Sequence, residues 1–94
     1  MSTYTIIWEY QGGTYMKQVR ARTALVALLA WSRRLSAGEI PGIGEKRLAR
    51  LVQAMEEDPA GLFSPVALTG LKSAWCASTP YGGLVNIVKT DVSR

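Results

Sequence analysis

Residues 3–21 read TYTIIWEYQGGTYMKQVRA, and their pattern decides the fold. Thr3 to Tyr10 and Thr14 to Ala21 are rich in β-branched and aromatic residues and alternate in polarity, as half-buried strands do. Gly12-Gly13 between them supplies the positive φ angles that a type I′ turn demands. A two-residue loop there sets Tyr10 opposite Tyr15, Trp8 opposite Lys17, Ile6 opposite Val19 and Tyr4 opposite Ala21. Tyr4, Ile6, Trp8, Tyr10, Tyr15 and Val19 then share one face. Thr5, Glu9, Gln18 and Arg20 share the other, with Ile7 and Met16 as its apolar members. Strand side chains repeat every two residues, so a one-residue slip puts the aromatics in water and the register is firm. Lys17, beside Trp8 in this pairing, lays its stem on the indole.

Beyond the hairpin the period changes. Thr23 is placed to cap a helix from Ala24 to about Ser36, whose Leu25, Leu28, Leu29, Trp31 and Leu35 cover a wide apolar sector. That sector suits the aromatic face of the hairpin. Arg33 and Arg34 fall in the last turn, where cations favour the helix dipole, and Gly38 is suited to the left-handed stop. The stretch GEIPGIGEKRLARLVQAM, residues 38–55, then holds a tight Pro-Gly-Ile-Gly turn and the start of a second helix, Glu45 to about Glu57. Leu48, Leu51, Val52 and Met55 stand at i, i+3, i+4 and i+7, one helical stripe. The charges of this helix oppose its dipole: Lys46 and Arg47 open it, while Glu56, Glu57 and Asp58 close it. Each such placement costs about 0.3–1 kcal/mol, and an anion bound at the start offsets it.

The segment Asp58 to Gly70 is punctuated by Pro and Gly and reads as irregular, pinned to the core by Leu62, Phe63, Val66 and Leu68. Lys72 to Ser78 and Leu84 to Thr90 read as a second antiparallel pair, joined by Thr79 to Gly83. Leu84, Val85, Ile87 and Val88 are apolar on both faces, which favours an interior strand; Val92 to Arg94 form a tail. The expected architecture is one α+β domain over residues 1–94, in the order β-β-α-α-β-β. An antiparallel sheet of about four strands carries two helices packed on its aromatic face. Its core holds Trp8, Leu28, Trp31, Leu51, Val88 and Trp75. No local pattern encodes the strand order, and both a monomer and a homodimer paired through a free sheet edge fit.

Composition narrows the function. The chain of 94 residues is 48% apolar and 19% charged, as a folded globule is. Its longest mostly apolar run, Ala24 to Trp31, falls far short of the ~20 residues that cross a bilayer. The N-terminus lacks the basic start and apolar core of a signal peptide, and the single cysteine, Cys76, allows no internal disulfide, so a reducing cytoplasm is the expected setting. Cys76, between Trp75 and Ala77, reads as a small core residue. There is no histidine, which removes Ser-His and Cys-His pairs and most zinc sites. Among the seven carboxylates only Glu56, Glu57 and Asp58 cluster, and neighbours on a helix point apart. The residues therefore supply no catalytic, metal or cofactor constellation, and a non-enzymatic role is expected. The charge is uneven: Lys17 to Arg50 holds eight basic residues against Glu39 and Glu45, a net +6 in a chain of net +4. That half is the expected contact surface for something acidic.

Ile40-Pro41-Gly42-Ile43-Gly44 followed by Lys46, Leu48, Ala49 and Leu51 resembles the helix-hairpin-helix motif of DNA-binding proteins. Gly42 and Gly44 match the glycines of that motif, Ile43 its hydrophobic residue, and Lys46 or Arg47 its basic position. The resemblance implies a phosphate held by Gly42, Ile43, Gly44 and Lys46 at a helix start, a contact without sequence preference. The alternative is that the turn only links two helices while Ile43 plugs the core. The whole chain, a small protein with a Gly-turned hairpin, two helices and a closing hairpin, is similar in habit to the anti-CRISPR proteins of phages. That resemblance implies a stoichiometric inhibitor docking on a Cas protein or CRISPR effector complex and blocking target DNA binding or nuclease recruitment. Arg33, Arg34, Lys46, Arg47 and Arg50 are the expected partner-binding residues, with weak nucleic-acid contact as the alternative.

Overall fold

The computed structural model describes residues 1–36, 38–57, 61 and 63–90. Its elements are β1 (Ser2–Tyr10), β2 (Gly13–Ala21), α1 (Ala24–Arg34), α2 (Glu45–Glu57), β3 (Val66–Ala67), β4 (Ala74–Ser78) and β5 (Leu84–Lys89). The strands form one antiparallel sheet in the order β2-β1-β5-β4-β3. The α+β class and the two helices are as expected, but the sheet has five strands rather than about four. The added strand, β3, lies in the stretch expected to be irregular and is two residues long, too short to show an alternation. Leu62, Asp58 and the tail Val92 to Arg94 lie outside the described residues.

The two hairpins join edge to edge through β1 and β5, which makes β5 an interior strand with Tyr4 opposite Lys89, Ile6 opposite Ile87 and Trp8 opposite Val85. Apolar residues on both faces of β5 follow from that position. The first hairpin turns one residue earlier than expected. Gln11 (φ 47°) and Gly12 (φ 79°) occupy the turn, and Gly13 is already in β2, opposite Tyr10. A side chain at Gly13 would meet the Tyr15 ring, with a Cβ 2.5 Å from the hydroxyl oxygen. Gly13 therefore serves ring packing, not the turn. The cross-strand register moves by two, so every side chain keeps its expected face while each partner changes. Trp8 stands opposite Tyr15 and Ile6 opposite Lys17. Lys17 consequently does not lie on Trp8; its ammonium group pairs with Glu39 at 3.0 Å and donates to the Arg34 carbonyl at 3.2 Å.

Helix α1 lies on the aromatic face against β2, β1 and β5, and α2 packs on α1. Thr23 caps α1 as expected, its hydroxyl accepting from the Val26 amide at 3.2 Å. The helix stops at Arg34, slightly before Ser36, and Leu35 turns extended. Trp8 and Trp31, both fully buried, meet edge to face at 5.5 Å, and Tyr10 stacks on Trp8 at 4.6 Å. Leu28, Leu51, Met55, Val85 and Ile87 complete the centre. Val88 does not belong to it: opposite Thr5, it lies half-buried on the uncovered face, and Val85 and Ile87 face inward instead. Trp75 is half-buried, 5.9 Å from Tyr4. The β4–β5 loop is pressed onto Trp8, whose Nε1 donates to the Gly82 carbonyl at 3.4 Å.

Candidate partner-binding surface

The connector between the helices places the candidate residues. Pro41 and Gly42 (φ 84°) form a tight turn closed by the Ile43 amide donating to the Ile40 carbonyl at 3.1 Å. Ile40 and Ile43 are buried and anchor the turn, while Gly42 and Gly44 face solvent. The Gly44 carbonyl accepts from the Leu48 amide at 3.0 Å and so opens α2. Ile43 thus fills the plugging role that a simple connector requires. The amides of the first turn of α2 have no acceptor within the helix, as in any α-helix, and the positive end of the dipole lies there.

The five expected binding residues fall into different settings. Arg33 is exposed but engaged: its Nε donates to Glu56 Oε2 at 2.9 Å and its Nη2 pairs with the same oxygen, tying the end of α1 to the end of α2. Arg34 is exposed in the last turn of α1 and makes no ion pair among the described residues. Arg47 is fixed without a carboxylate: its Nη1 donates to the Gly42 carbonyl at 3.0 Å, and its guanidinium lies 4.4 Å from the Tyr81 ring centre. The Tyr81 hydroxyl in turn donates to the Arg47 carbonyl at 2.7 Å. This clamp joins the interhelical turn, α2 and the β4–β5 loop. Lys46 and Arg50 are exposed, stand one turn apart on the same side of α2, and have no carboxylate partner among the described residues. The structure therefore brings Lys46, Arg47 and Arg50 together on the first two turns of α2, with Arg33 neutralised and Arg34 on another helix.

The wider basic half is divided as well. Arg20 points to the uncovered sheet face, Lys17 is neutralised by Glu39, and Arg22 stands with Lys89 beside a cavity of about 610 Å³ that Tyr4 and Trp75 also line. The Glu39 carboxyl is held below its usual pKa, first by the Ser36 amide that donates to it; burial pushes the other way, and Lys17 adds to the lowering. A second hollow, of about 820 Å³, lies between the helices over Leu35, Leu48 and Val52, rimmed by Arg33, Glu45 and Glu56. Sequence reading missed Tyr81, Glu39 and Glu56 as the groups that fix or neutralise these cations. Tyr81 stands out only as an aromatic in a Pro-Gly loop.

Cys76 is half-buried on the uncovered face of the sheet, not in the core, because alternation sends Trp75 and Ala77 inward. Among the described residues no group of three or more His, Cys, Asp or Glu side chains is placed to hold a metal ion, and no helix is long and apolar enough to cross a membrane. Comparison with protein-family models, curated proteins and solved structures finds no match to the chain.

Proposed function

We propose that this protein is a small non-enzymatic inhibitor of the anti-CRISPR type, which docks on an acidic surface of a Cas protein or CRISPR effector complex through the first two turns of α2. Docking there blocks target DNA binding or nuclease recruitment. One observation carries the reading: Lys46 and Arg47 stand at the positive end of α2, with Arg50 one turn beyond Lys46 and Glu45 as the acid of the first turn. Cations at a helix start oppose the dipole by about 0.3–1 kcal/mol each, a cost that an acidic partner offsets on binding. Arg47, held by the Gly42 carbonyl and the Tyr81 ring, loses little freedom when it docks. Copurification from a lysate containing CRISPR effectors tests this. The partner is retained after nuclease digestion and lost with Lys46→Glu/Arg50→Glu; retention by the charge-reversed protein refutes the docking face.

A second reading is supported by the turn itself. A Cβ at either Gly42 or Gly44 would meet nothing within 4 Å, so the backbone is open to a phosphate at the start of α2, beside Lys46. Binding of this kind acts on any duplex and weakens steeply as salt rises. A copurified partner that disappears on nuclease digestion favours it over the inhibitor.

A further inference from the structure

The face of the sheet turned away from the helices carries exposed apolar residues. Across the strands at mid-height run Met16, Ile7, Asn86, Cys76 and Val66, each in register with the next. Met16 and Val66 are each 63% exposed, and Leu84 beside the row is 47% exposed. The strand residues of this face carry two charges, Glu9 and Arg20, at opposite ends of the β1–β2 hairpin and without ion pairs among the described residues. Several flanking polar groups pair with one another. Gln18 Nε2 donates to Thr5 Oγ1 at 3.0 Å, Thr5 and Thr90 share a hydrogen bond of 2.9 Å, and Thr14 donates to Glu9 at 3.2 Å. Asn86, half-buried in the middle of the row, has no side-chain hydrogen bond among the described residues.

We propose that this face joins two copies of the chain, packed sheet on sheet about a two-fold axis lying along the Met16–Val66 row. Charge placement selects that axis. Rotation about it reverses the strand direction, so Glu9 of each copy lies over the Arg20 end of the other, and the match occurs twice. An axis along the strands instead carries both charges over β3 and β4 and leaves them unpaired. Residues on a two-fold axis meet their own copies. Asn86 meets Asn86, an amide able to donate and accept at once, and burying Met16, Ile7 and Val66 supplies the apolar contact. Strands of this length at ~4.8 Å spacing offer on the order of 500 Å² per copy, near 1,000 Å² in all, the low end for a specific contact. The dimer therefore dissociates on dilution. It leaves both helical layers outward, with the start of α2 free on each copy, and it does not depend on what α2 binds.

Sedimentation equilibrium of the full chain, from micromolar to about millimolar, tests the proposal. The expected mass rises from 10.2 kDa to twice that value. Met16→Arg and Arg20→Glu, both at exposed positions, each weaken association by about tenfold or more, because like charges are brought face to face. Adding Glu9→Arg to Arg20→Glu restores association to within about threefold, since the pair is then reversed but complementary. Facing sheets lie ~10 Å apart, so a short bis-maleimide joins Cys76 to Cys76 in the wild type and not in Met16→Arg. A mass of 10.2 kDa throughout overturns the proposal. So does a dimer indifferent to these substitutions and not joined at Cys76, which would place the contact on another surface such as a strand edge.

Discussion

Replacing Gly83 with alanine tests how the second hairpin is seated on the core. Gly82 (φ 88°) and Gly83 (φ 80°) are consecutive, and both have left-handed backbones that an L side chain resists. For either one, alanine costs about 1–2 kcal/mol on that ground alone. Their surroundings differ. A Cβ at Gly82 meets nothing within 4 Å, whereas one at Gly83 runs into the Glu9 carbonyl oxygen and comes within 2.7 Å of Trp8 Nε1. Neither neighbour gives way easily: Glu9 is held between β2 and β5, and Trp8 is fully buried against Trp31. Overpacking of this kind adds about 1–3 kcal/mol. Gly83→Ala therefore destabilises by about 2 kcal/mol more than Gly82→Ala. For a domain of this size the difference is about 8–16 °C in Tm, read by thermal unfolding or by urea midpoints. Equal effects at the two positions refute the close approach of the β4–β5 loop to Trp8.

Four further outcomes follow from the same contacts. Arg47→Ala loses both the ring contact and the Gly42 hydrogen bond and costs about 1–2 kcal/mol, and a double-mutant cycle with Tyr81→Ala shows positive coupling. Arg33→Ala and Glu56→Ala each cost less than about 1 kcal/mol, with a coupling that molar salt removes, because the pair is exposed. The folded-state pKa of Glu39 lies below its ordinary 4.5, so its contribution is present above that value and is lost as pH falls through the lower folded pKa. Acid unfolding of Glu39→Gln, compared with wild type, shows a shallower pH dependence in that window. Trp31→Ala, at a fully buried edge-to-face contact, costs about 3–5 kcal/mol by chemical denaturation.

What the sequence made legible was decided by range. The faces of β1 and β2 follow from alternation alone, because a register error of two leaves parity intact. The register itself was misread because Gly-Gly outweighs Gln-Gly in any turn preference. The structure nevertheless puts Gln11 at positive φ and reserves Gly13 for the Tyr15 ring, a contact between side chain and backbone that no turn rule contains. Helix α2 was legible in its start and approximate extent from its stripe and its Gly-rich start; β3, at two residues, has no period to read. The inward turn of Val85 and Ile87 rather than Val88 depends on pairing with β1, far away in the chain. At the candidate surface the cations were visible as residue types, but their partners were not. Glu56 reaches Arg33 and Tyr81 reaches Arg47 only once the helices and the last hairpin are assembled. The row from Met16 to Val66 needs the full strand order.

The most direct test of the docking role is a titration of a purified CRISPR effector with this protein, reading target DNA binding. The account predicts loss of DNA binding with a break near one equivalent per effector site. With Lys46→Glu/Arg50→Glu it predicts no inhibition at the same concentrations and a thermal unfolding midpoint no lower than that of the wild type, because an acid at the helix start favours the dipole. Inhibition by the charge-reversed protein equal to that of the wild type contradicts it.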